Sequence, residues 1–227
     1  MDEKAYILKE KSIRCILSYI AIVLVIVPIL YMTITKTIDG VNTTLTQVII
    51  NLICYTSLTI IFIIILRHEL FDDIKKFKTH LWICLLIIFL SWFLIKGSEL
   101  LCDLFYKAIN QEMSGDNQNS IVDCMKENWV LMMASTCFFA PFVEEIVFRK
   151  NIFAFFKNDW IGLLVSTLCF GLIHVISSMD FIHILPYLFA GVLFSLFYIF
   201  SKRNIWVTII AHTLANTISF ILIVINI

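Results

Sequence analysis

The sequence lacks an excess of charge of either sign. Lys and Arg together number 17, Asp and Glu also number 17, and charged residues make up only 15% of the chain. A protein that binds nucleic acid through its phosphates carries a surplus of basic residues, so no nucleic-acid partner is indicated. Internal repeats, low-complexity tracts and signs of a second domain are absent as well. We therefore predict a single domain, residues 1–227.

Familiar hydrolase motifs are also missing. No Gly-x-Ser-x-Gly nucleophile motif occurs. The zinc-protease motif His-Glu-x-x-His is absent too, because His68 and Glu69 are followed by Asp72 where the second histidine would stand, and we expect this segment to form a loop. The seven cysteines show no metal-ligand spacing and mostly lie within or beside apolar segments. We expect them to behave as small apolar residues.

Apolar residues dominate the chain instead. They make up 60% of it, and the mean hydropathy is +0.94, whereas a soluble domain is closer to half apolar. Apolar runs of about 18 residues or more are long enough to cross a bilayer as helices. The predicted spans are 13–34, 47–66, 81 into the hundreds, 129–156, 160–176, 184–200 and 205 to the C-terminus. The fold class is therefore an all-α, polytopic transmembrane bundle of about seven helices, with a polar loop over 108–127.

The distribution of basic residues predicts the orientation of the bundle. The first apolar run has no small-residue cleavage site of a signal peptide, so we expect it to remain as the first helix. Cytoplasmic loops of membrane proteins are enriched in Lys and Arg. With seven spans and a cytoplasmic N-terminus, the outer side would hold only Lys36, Lys96, Lys107 and Lys126. We therefore predict an integral membrane protein with its N-terminus inside and its C-terminus outside.

Two adjacent carboxylates and an arginine interrupt the fourth span, in the stretch APFVEEIVFR at residues 140–149. A charge at bilayer depth costs about 3 kcal/mol or more, so such residues mark functional sites. Glu145 and Arg149 stand four residues apart with the acid first, which favours an ion pair on one helix face and leaves Glu144 for chemistry. Pro141 removes a helical hydrogen bond one turn earlier and is expected to kink the span. The alternative is that the three charges cap a helix at the membrane surface.

Three further polar residues lie inside the later spans. His174 is in the fifth span, and His212 and Asn216 share one face of the seventh at a spacing of four residues. Taken singly, a buried histidine is commonly a hydrogen-bonded core residue, and an asparagine can join two helices. At 1.5 Å per residue, however, Glu144, His174 and Asn216 all lie about 20 Å from the inner ends of their helices. A shared depth indicates a shared site.

A carboxylate, two imidazoles and a carboxamide at one depth suit hydrolysis. Glu144 is placed to take a proton from water, a histidine to hold that water, and His212 with Asn216 to donate hydrogen bonds to a developing oxyanion. The same set allows a second interpretation, in which Glu144, His174 and His212 bind one divalent metal ion such as zinc and leave a coordination position open. The sequence leaves both interpretations open.

These residues give the chain a resemblance to a known family, the CAAX protease and bacteriocin-processing (CPBP, or Abi) family of intramembrane proteases. The motif Glu-Glu-x-x-x-Arg is matched by Glu144, Glu145 and Arg149. Phe-x-x-x-His is matched by Phe170 and His174, and His-x-x-x-Asn by His212 and Asn216. All three motifs occur in the family's order on hydrophobic segments. The similarity covers about residues 125–220.

The resemblance implies an endopeptidase that cleaves a peptide bond within or beside the membrane. Glu144 and His174 would activate water, His212 and Asn216 would stabilise the oxyanion, and Glu145, Arg149 and Phe170 would support the site. The family has been described both as metal-dependent and as glutamate-dependent. Its eukaryotic members act on prenylated CAAX proteins, and its bacterial members are linked to peptide maturation and bacteriocin self-immunity. The Ile- and Lys-rich chain favours a bacterial plasma membrane and the second role.

Two rival functions belong to other classes. A non-catalytic immunity or scaffold protein would keep the polar layer for structure alone. A proton- or ion-coupled transporter would use Glu and His as a relay, although the sequence shows none of the repeated halves or paired broken helices that transporters contain. For the protease, the expected partners are membrane lipid and a peptide or protein substrate.

Overall fold

The computed structural model describes residues 3–226 and shows a bundle of α-helices without strands in that part of the chain. A short 3₁₀ turn, Phe181–Ile184, precedes the sixth helix. The helices, numbered in chain order, are α1 (Glu3–Thr37), α2 (Thr43–Thr79), α3 (Leu81–Ala108), α4 (Asp116–Asn151), α5 (Asp159–Val175), α6 (Leu185–Phe200) and α7 (Ile205–Asn226).

The helices have the lengths and composition of an integral membrane protein. Six segments of the described chain are long and apolar enough to cross a bilayer, and α5 is apolar but shorter, at 17 residues. Much of the apolar surface of α1, α2 and α3 faces outward, where a bilayer would cover it. The prediction of an all-α bundle with about seven membrane helices is confirmed.

Local sequence signals account for several helix boundaries. Asn42 and Asn158 precede α2 and α5, and their side-chain oxygens accept hydrogen bonds from the backbone N–H groups of Leu45 and Trp160. These caps satisfy donors that a helix leaves free in its first turn. A π-helical turn, Ile20–Ile26, lies just before Pro28 inside α1. Proline has no N–H to donate, so the helix changes its hydrogen-bond register next to it.

The prediction of a polar loop over residues 108–127 is wrong for most of that segment. Only about seven residues connect α3 to α4, and α4 begins at Asp116 with a polar arm that continues to Glu127. Asn128 then leaves helical geometry (φ −156°, ψ 89°), and its side chain accepts a hydrogen bond from the N–H of Leu131. The apolar part of α4 therefore starts next to residue 129, the predicted start of the fourth span. The polar arm packs against α2, which sequence periodicity did not show.

A second correction concerns the segment that contains His68 and Glu69. It continues α2 as helix beyond a kink at Leu66, whose dihedral angles are −107° and 15°. This extension places Asp73 in a buried ion pair with Lys150, at 2.5 Å between Oδ2 and Nζ. Both side chains are at least nine-tenths buried, so the bundle buries a second ion pair besides that of Glu145 and Arg149. The pair ties α2 to the end of α4.

The centre of the bundle is the part of α4 that carries the two carboxylates. Every residue from 141 to 153 is buried. This segment packs against α1, α2, α5 and α7, and the apolar core that surrounds it draws on α6 as well. The predicted alternative, in which the charges cap a helix at the membrane surface, is excluded because the carboxylates face the interior of the bundle.

Candidate active site

Glu145 and Arg149 form the ion pair that their spacing predicts. Arg149 Nη1 lies 3.2 Å from Glu145 Oε1, and both side chains are completely buried. Arg149 Nη2 also approaches the backbone carbonyl of Gly191 on α6 at 3.4 Å. The guanidinium carbon lies 4.5 Å from the centre of the Phe170 ring and 5.4 Å from that of Phe194. Arg149 thus links α4 to α5 through the Phe170 ring, and to α6 through the Gly191 carbonyl and the Phe194 ring.

His212 reaches across from α7 to both carboxylates. Its Nδ1 lies 2.9 Å from Glu145 Oε1, and its Nε2 lies 4.0 Å from Glu144 Oε2. A carboxylate paired with an arginine is a hydrogen-bond acceptor, so Nδ1 carries the hydrogen of this bond. The Phe194 ring stacks on the imidazole at 4.5 Å. His212 is therefore fixed by one carboxylate, with its other nitrogen directed toward Glu144.

His174 is held by its own helix. Its Nδ1 lies 2.7 Å from the carbonyl oxygen of Phe170, one turn earlier, so Nδ1 donates and Nε2 remains available as an acceptor. The Phe170 ring lies 4.6 Å from His174 and 6.1 Å from His212, measured between ring centres. This phenylalanine therefore contacts both imidazoles and also the guanidinium of Arg149. The supporting role predicted for Phe170 is consistent with these contacts.

Asn216 is held by a backbone carbonyl that Pro141 leaves without a helical partner. The preceding segment, Ala134–Phe139, is π-helical, and the N–H of Ala140 bonds to the carbonyl of Ser135 five residues back. In that register the carbonyl of Thr136 would pair with the N–H of residue 141, which proline lacks. Thr136 O instead accepts a hydrogen bond of 2.9 Å from Nδ2 of Asn216. The carboxamide keeps its second N–H and its oxygen for other partners.

The structure places His212 beside Glu144, and Phe170 contacts the rings of both His212 and His174. Asn216 lies one turn along α7 from His212 and bonds to the carbonyl of Thr136. A carboxylate next to an imidazole can move a proton to and from water, and the free N–H of a carboxamide can stabilise an oxyanion. The arrangement suits hydrolysis of a carbonyl compound.

The three-ligand metal site considered from the sequence is not formed by the described residues. Among residues 3–226, no three His, Cys, Asp or Glu side chains are grouped closely enough to hold a metal ion. His212 uses Nδ1 on Glu145, and His174 uses Nδ1 on a backbone carbonyl. All seven cysteines are free thiols, six of them buried, as small apolar residues would be. Both histidines keep Nε2 for other partners, but these nitrogens and Glu144 are not gathered into a metal site among the described residues.

Sequence reasoning missed the aromatic residues around Glu144. The side chains of Tyr55, on α2, and Tyr19, on α1, lie near Glu144 and near each other. Tyr19 packs edge-on against Phe148, one turn after the carboxylates, with ring centres 5.8 Å apart. A tyrosine in an apolar helix gives no periodic signal that separates it from its neighbours. Only the packing of α1 and α2 on α4 shows that these hydroxyls face the site.

Comparison with known proteins adds an independent observation. Residues 126–218 match the family model of type II CAAX prenyl endopeptidase Rce1-like proteins. Over these residues the chain is similar to that family. The match contains all three motifs, from Glu144 to Asn216, and leaves α1 to α3 outside it. The resemblance predicted from the motifs is confirmed.

Several bacterial proteins are similar to the same part of the chain. A putative membrane peptidase, YdiL, of Bacillus subtilis is 35% identical over 105 residues, which cover 45% of this chain and 41% of YdiL. The membrane-embedded CAAX protease MroQ of Staphylococcus aureus is 33% identical over 111 residues, 47% of this chain and 44% of MroQ. An uncharacterised Mycoplasma capricolum protein is 41% identical over 95 residues, 42% of this chain and 28% of that protein. Each alignment spans less than half of the relative's length. No solved structure matches the chain significantly.

Proposed function

We propose that this Rce1-like protein is an intramembrane endopeptidase that hydrolyses a peptide bond of a membrane-associated protein or peptide. The observation that carries the proposal is the pairing of Glu144 with His212 at 4.0 Å in the buried centre of the bundle, beside a second carboxylate that Arg149 already neutralises. One carboxylate is thereby engaged in structure, and the other is left for chemistry. The similarity to YdiL and MroQ supports the same class of reaction.

In the proposed mechanism Glu144 is the general base. It takes a proton from a water molecule that attacks the scissile carbonyl, and it later returns the proton to the leaving amine. His174 accepts a hydrogen bond from this water through Nε2, since its Nδ1 donates to Phe170. Asn216 donates its second amide hydrogen to the oxyanion. No step requires a metal ion.

The geometry sets a condition on His212. Its Nδ1–H is directed at Glu145, so its Nε2 can donate to the oxyanion only when the ring is doubly protonated. An imidazolium stabilises a developing negative charge more strongly than a neutral ring does. We therefore assign His212 as a charged oxyanion donor that Glu145 holds in place.

We further propose a bacterial plasma membrane as the location, with the N-terminus in the cytoplasm. The bias of Lys and Arg supports this orientation, and the bacterial origin of the named relatives supports the membrane. A role in peptide maturation or bacteriocin self-immunity would supply substrates of the proposed class. The alternative is a membrane immunity or scaffold protein that performs no chemistry.

The test uses the full chain reconstituted in phospholipid vesicles. Three probe peptides are added: a farnesylated CAAX peptide, its unprenylated form, and an apolar leader-type peptide. Cleavage is followed by mass spectrometry for the wild type, Glu144→Gln and Glu145→Gln. Glu144→Gln preserves size and hydrogen bonding, and we expect it to lower the rate at least about 100-fold, the contribution of a general base.

The outcomes separate the two functions. Cleavage by the wild type that is lost in Glu144→Gln at equal protein abundance supports the protease. Cleavage that Glu144→Gln retains in full refutes Glu144 as the base. A wild type that cleaves no probe, together with a Glu144→Gln variant that still confers immunity in cells, supports the scaffold. The preferred probe also shows whether the substrate carries a lipid.

A further inference from the structure

We propose that Tyr187 is a positioning residue for His174 and that Asn117 holds Tyr187 in place. Neither residue belongs to the three motifs, and Asn117 lies before the region matched to the family. The proposal rests on the assignment of His174 to the site. It extends that site to the first turn of α4 and the first turn of α6, which meet at the same end of the bundle.

The first contact is a parallel stack of two rings. The Tyr187 ring lies 4.5 Å from the His174 ring between centres, with planes only 19° apart. Phe170 contacts the imidazole at 4.6 Å with planes tilted by 49°. The hydrogen bond from Nδ1 to the Phe170 carbonyl restrains one edge of the ring. Together these contacts fix the plane of the imidazole and the direction in which its Nε2 points.

The second contact fixes the tyrosine. Asn117 Nδ2 donates a hydrogen bond of 3.0 Å to the Tyr187 hydroxyl. Tyr187 follows Pro186 in the first turn of α6, and Asn117 is the second residue of α4. Two helix starts that are 70 residues apart in sequence are thereby joined through a side chain that touches His174.

A set of hydrogen bonds between the adjoining loops holds these helix starts together. Asp180 accepts a hydrogen bond of 3.0 Å from the N–H of Asp116 and pairs with His183 Nδ1 at 2.7 Å. His183 Nε2 contacts the carbonyl of Glu112 at 3.0 Å. The hydrogen bond from His183 lowers the pKa of the Asp180 carboxyl below its ordinary value. Gly115 approaches this pair so closely that an added Cβ would lie 2.6 Å from His183 Cβ.

The positioning role predicts a graded effect of three substitutions. Tyr187→Leu removes the stack, Tyr187→Phe keeps the stack and loses the hydroxyl, and Asn117→Ala keeps both rings and loses only the hydrogen bond. Loss of one aromatic stack corresponds to about a threefold to tenfold change in rate. We expect Tyr187→Leu to lower kcat by that factor with KM within about twofold, and the other two variants to have smaller effects. Asn119→Ala is the matched control, since Asn119 is exposed two residues along the same turn and its side chain accepts a hydrogen bond from Ser114.

A spectroscopic readout makes the test independent of catalysis. The full-length protein is labelled with ¹⁵N-histidine in lipid vesicles, and His174→Gln assigns the His174 signals. We expect the wild type and Asn119→Ala to show one His174 tautomer with hydrogen on Nδ1. We expect Tyr187→Leu to show mixed tautomers, and Tyr187→Phe and Asn117→Ala, which lose the same hydrogen bond, to show a smaller change in the same direction.

Every outcome bears on the proposal. Mixed tautomers in Tyr187→Leu together with a fall in kcat support it. Unchanged His174 signals and unchanged kcat in Tyr187→Leu overturn it, as does a wild-type spectrum of Asn117→Ala in a protein whose Tyr187→Leu variant fails to fold. Mixed tautomers in Tyr187→Leu, in a protein whose wild type cleaves no probe, would support Tyr187 as the residue that orients His174 and would count against the proposed protease only.

Discussion

The buried pair of Glu145 and Arg149 supports a quantitative prediction about stability. Both side chains are fully buried, and Glu145 serves two partners, Arg149 at 3.2 Å and His212 at 2.9 Å. Removal of one member of a buried ion pair costs about 3–5 kcal/mol, because the other charge stays behind without compensation. The order of the effects follows from which groups each substitution leaves unpaired.

Glu145→Leu leaves Arg149 without its carboxylate partner and the Nδ1–H of His212 without an acceptor. A buried donor without a partner adds about 1–3 kcal/mol, so we expect Glu145→Leu to lower the free energy of unfolding by about 4–8 kcal/mol. Arg149→Met leaves Glu145 bonded to His212, and we expect a smaller loss, about 3–5 kcal/mol. The double variant removes both charges and should be more stable than Glu145→Leu alone, since apolar replacement of a whole buried pair is nearly neutral.

Denaturant titration in detergent micelles, followed by tryptophan fluorescence, measures these free energies. Trp206 is a suitable reporter, because its ring lies 6.2 Å from that of Phe142 in the central segment of α4. Glu144→Gln is the control, and we expect it to change the free energy of unfolding by less than about 1 kcal/mol because it keeps its hydrogen-bonding capacity. If the Glu145→Leu and Arg149→Met losses add within about 0.5 kcal/mol in the double variant, the two residues are not coupled and the reasoning is refuted.

Three further predictions concern the surroundings of the site. Gly115→Ala forces a Cβ against His183, so we expect about 1–3 kcal/mol of lost stability in the same titration. The pKa of the Asp180 carboxyl lies below its ordinary value of 3.8, so the ionised carboxylate stabilises the fold at pH values above 3.8. This stabilisation is lost as the pH falls through the lowered pKa. The stability difference between wild type and Asp180→Asn should therefore narrow as the pH falls below 3.8, which thermal unfolding at several pH values checks. Pro141→Ala restores an N–H that competes for the carbonyl bound by Asn216, so we expect slower cleavage of the best probe peptide.

Each of these predictions has a control or a contrary result. Gly97→Ala should not destabilise the protein, since nothing lies within 4 Å of a Cβ there. A stability difference for Asp180→Asn that does not change with pH would contradict the linkage argument. Pro141→Ala with full activity would show that Asn216 does not depend on the carbonyl of Thr136.

The residue types in the chain were enough to predict the class of fold and the candidate residues. An apolar run of membrane length has few stable structures other than a transmembrane helix, because its burial in a bilayer is strongly favourable. Charged and polar residues at one depth stand out against such runs, which is how Glu144, His174, His212 and Asn216 were found. The pairing of Glu145 with Arg149 followed from helical spacing alone, because residues four apart lie on one face.

Other features depended on contacts between segments that are distant in sequence. The polar arm of α4 was predicted as a loop, because its helical state depends on packing against α2, and a polar sequence carries no apolar period. The same holds for Tyr55 and Tyr187, which resemble any other aromatic residue of an apolar helix. The carbonyl that holds Asn216 is free only because a π-helical segment meets a proline, a register that spacing cannot show.

Hydropathy and helical period are local properties of the chain, and they were enough to predict a helical membrane protein with a layer of polar residues in its spans. Which carboxylate each nitrogen of His212 meets depended on the packing of the helices. Glu144 and Glu145 are adjacent and chemically identical, and only the approach of α7 directs His212 Nδ1 to one and Nε2 to the other. That choice depends on where seven helices come to rest against each other, because a hydrogen bond is selective within a few tenths of an ångström.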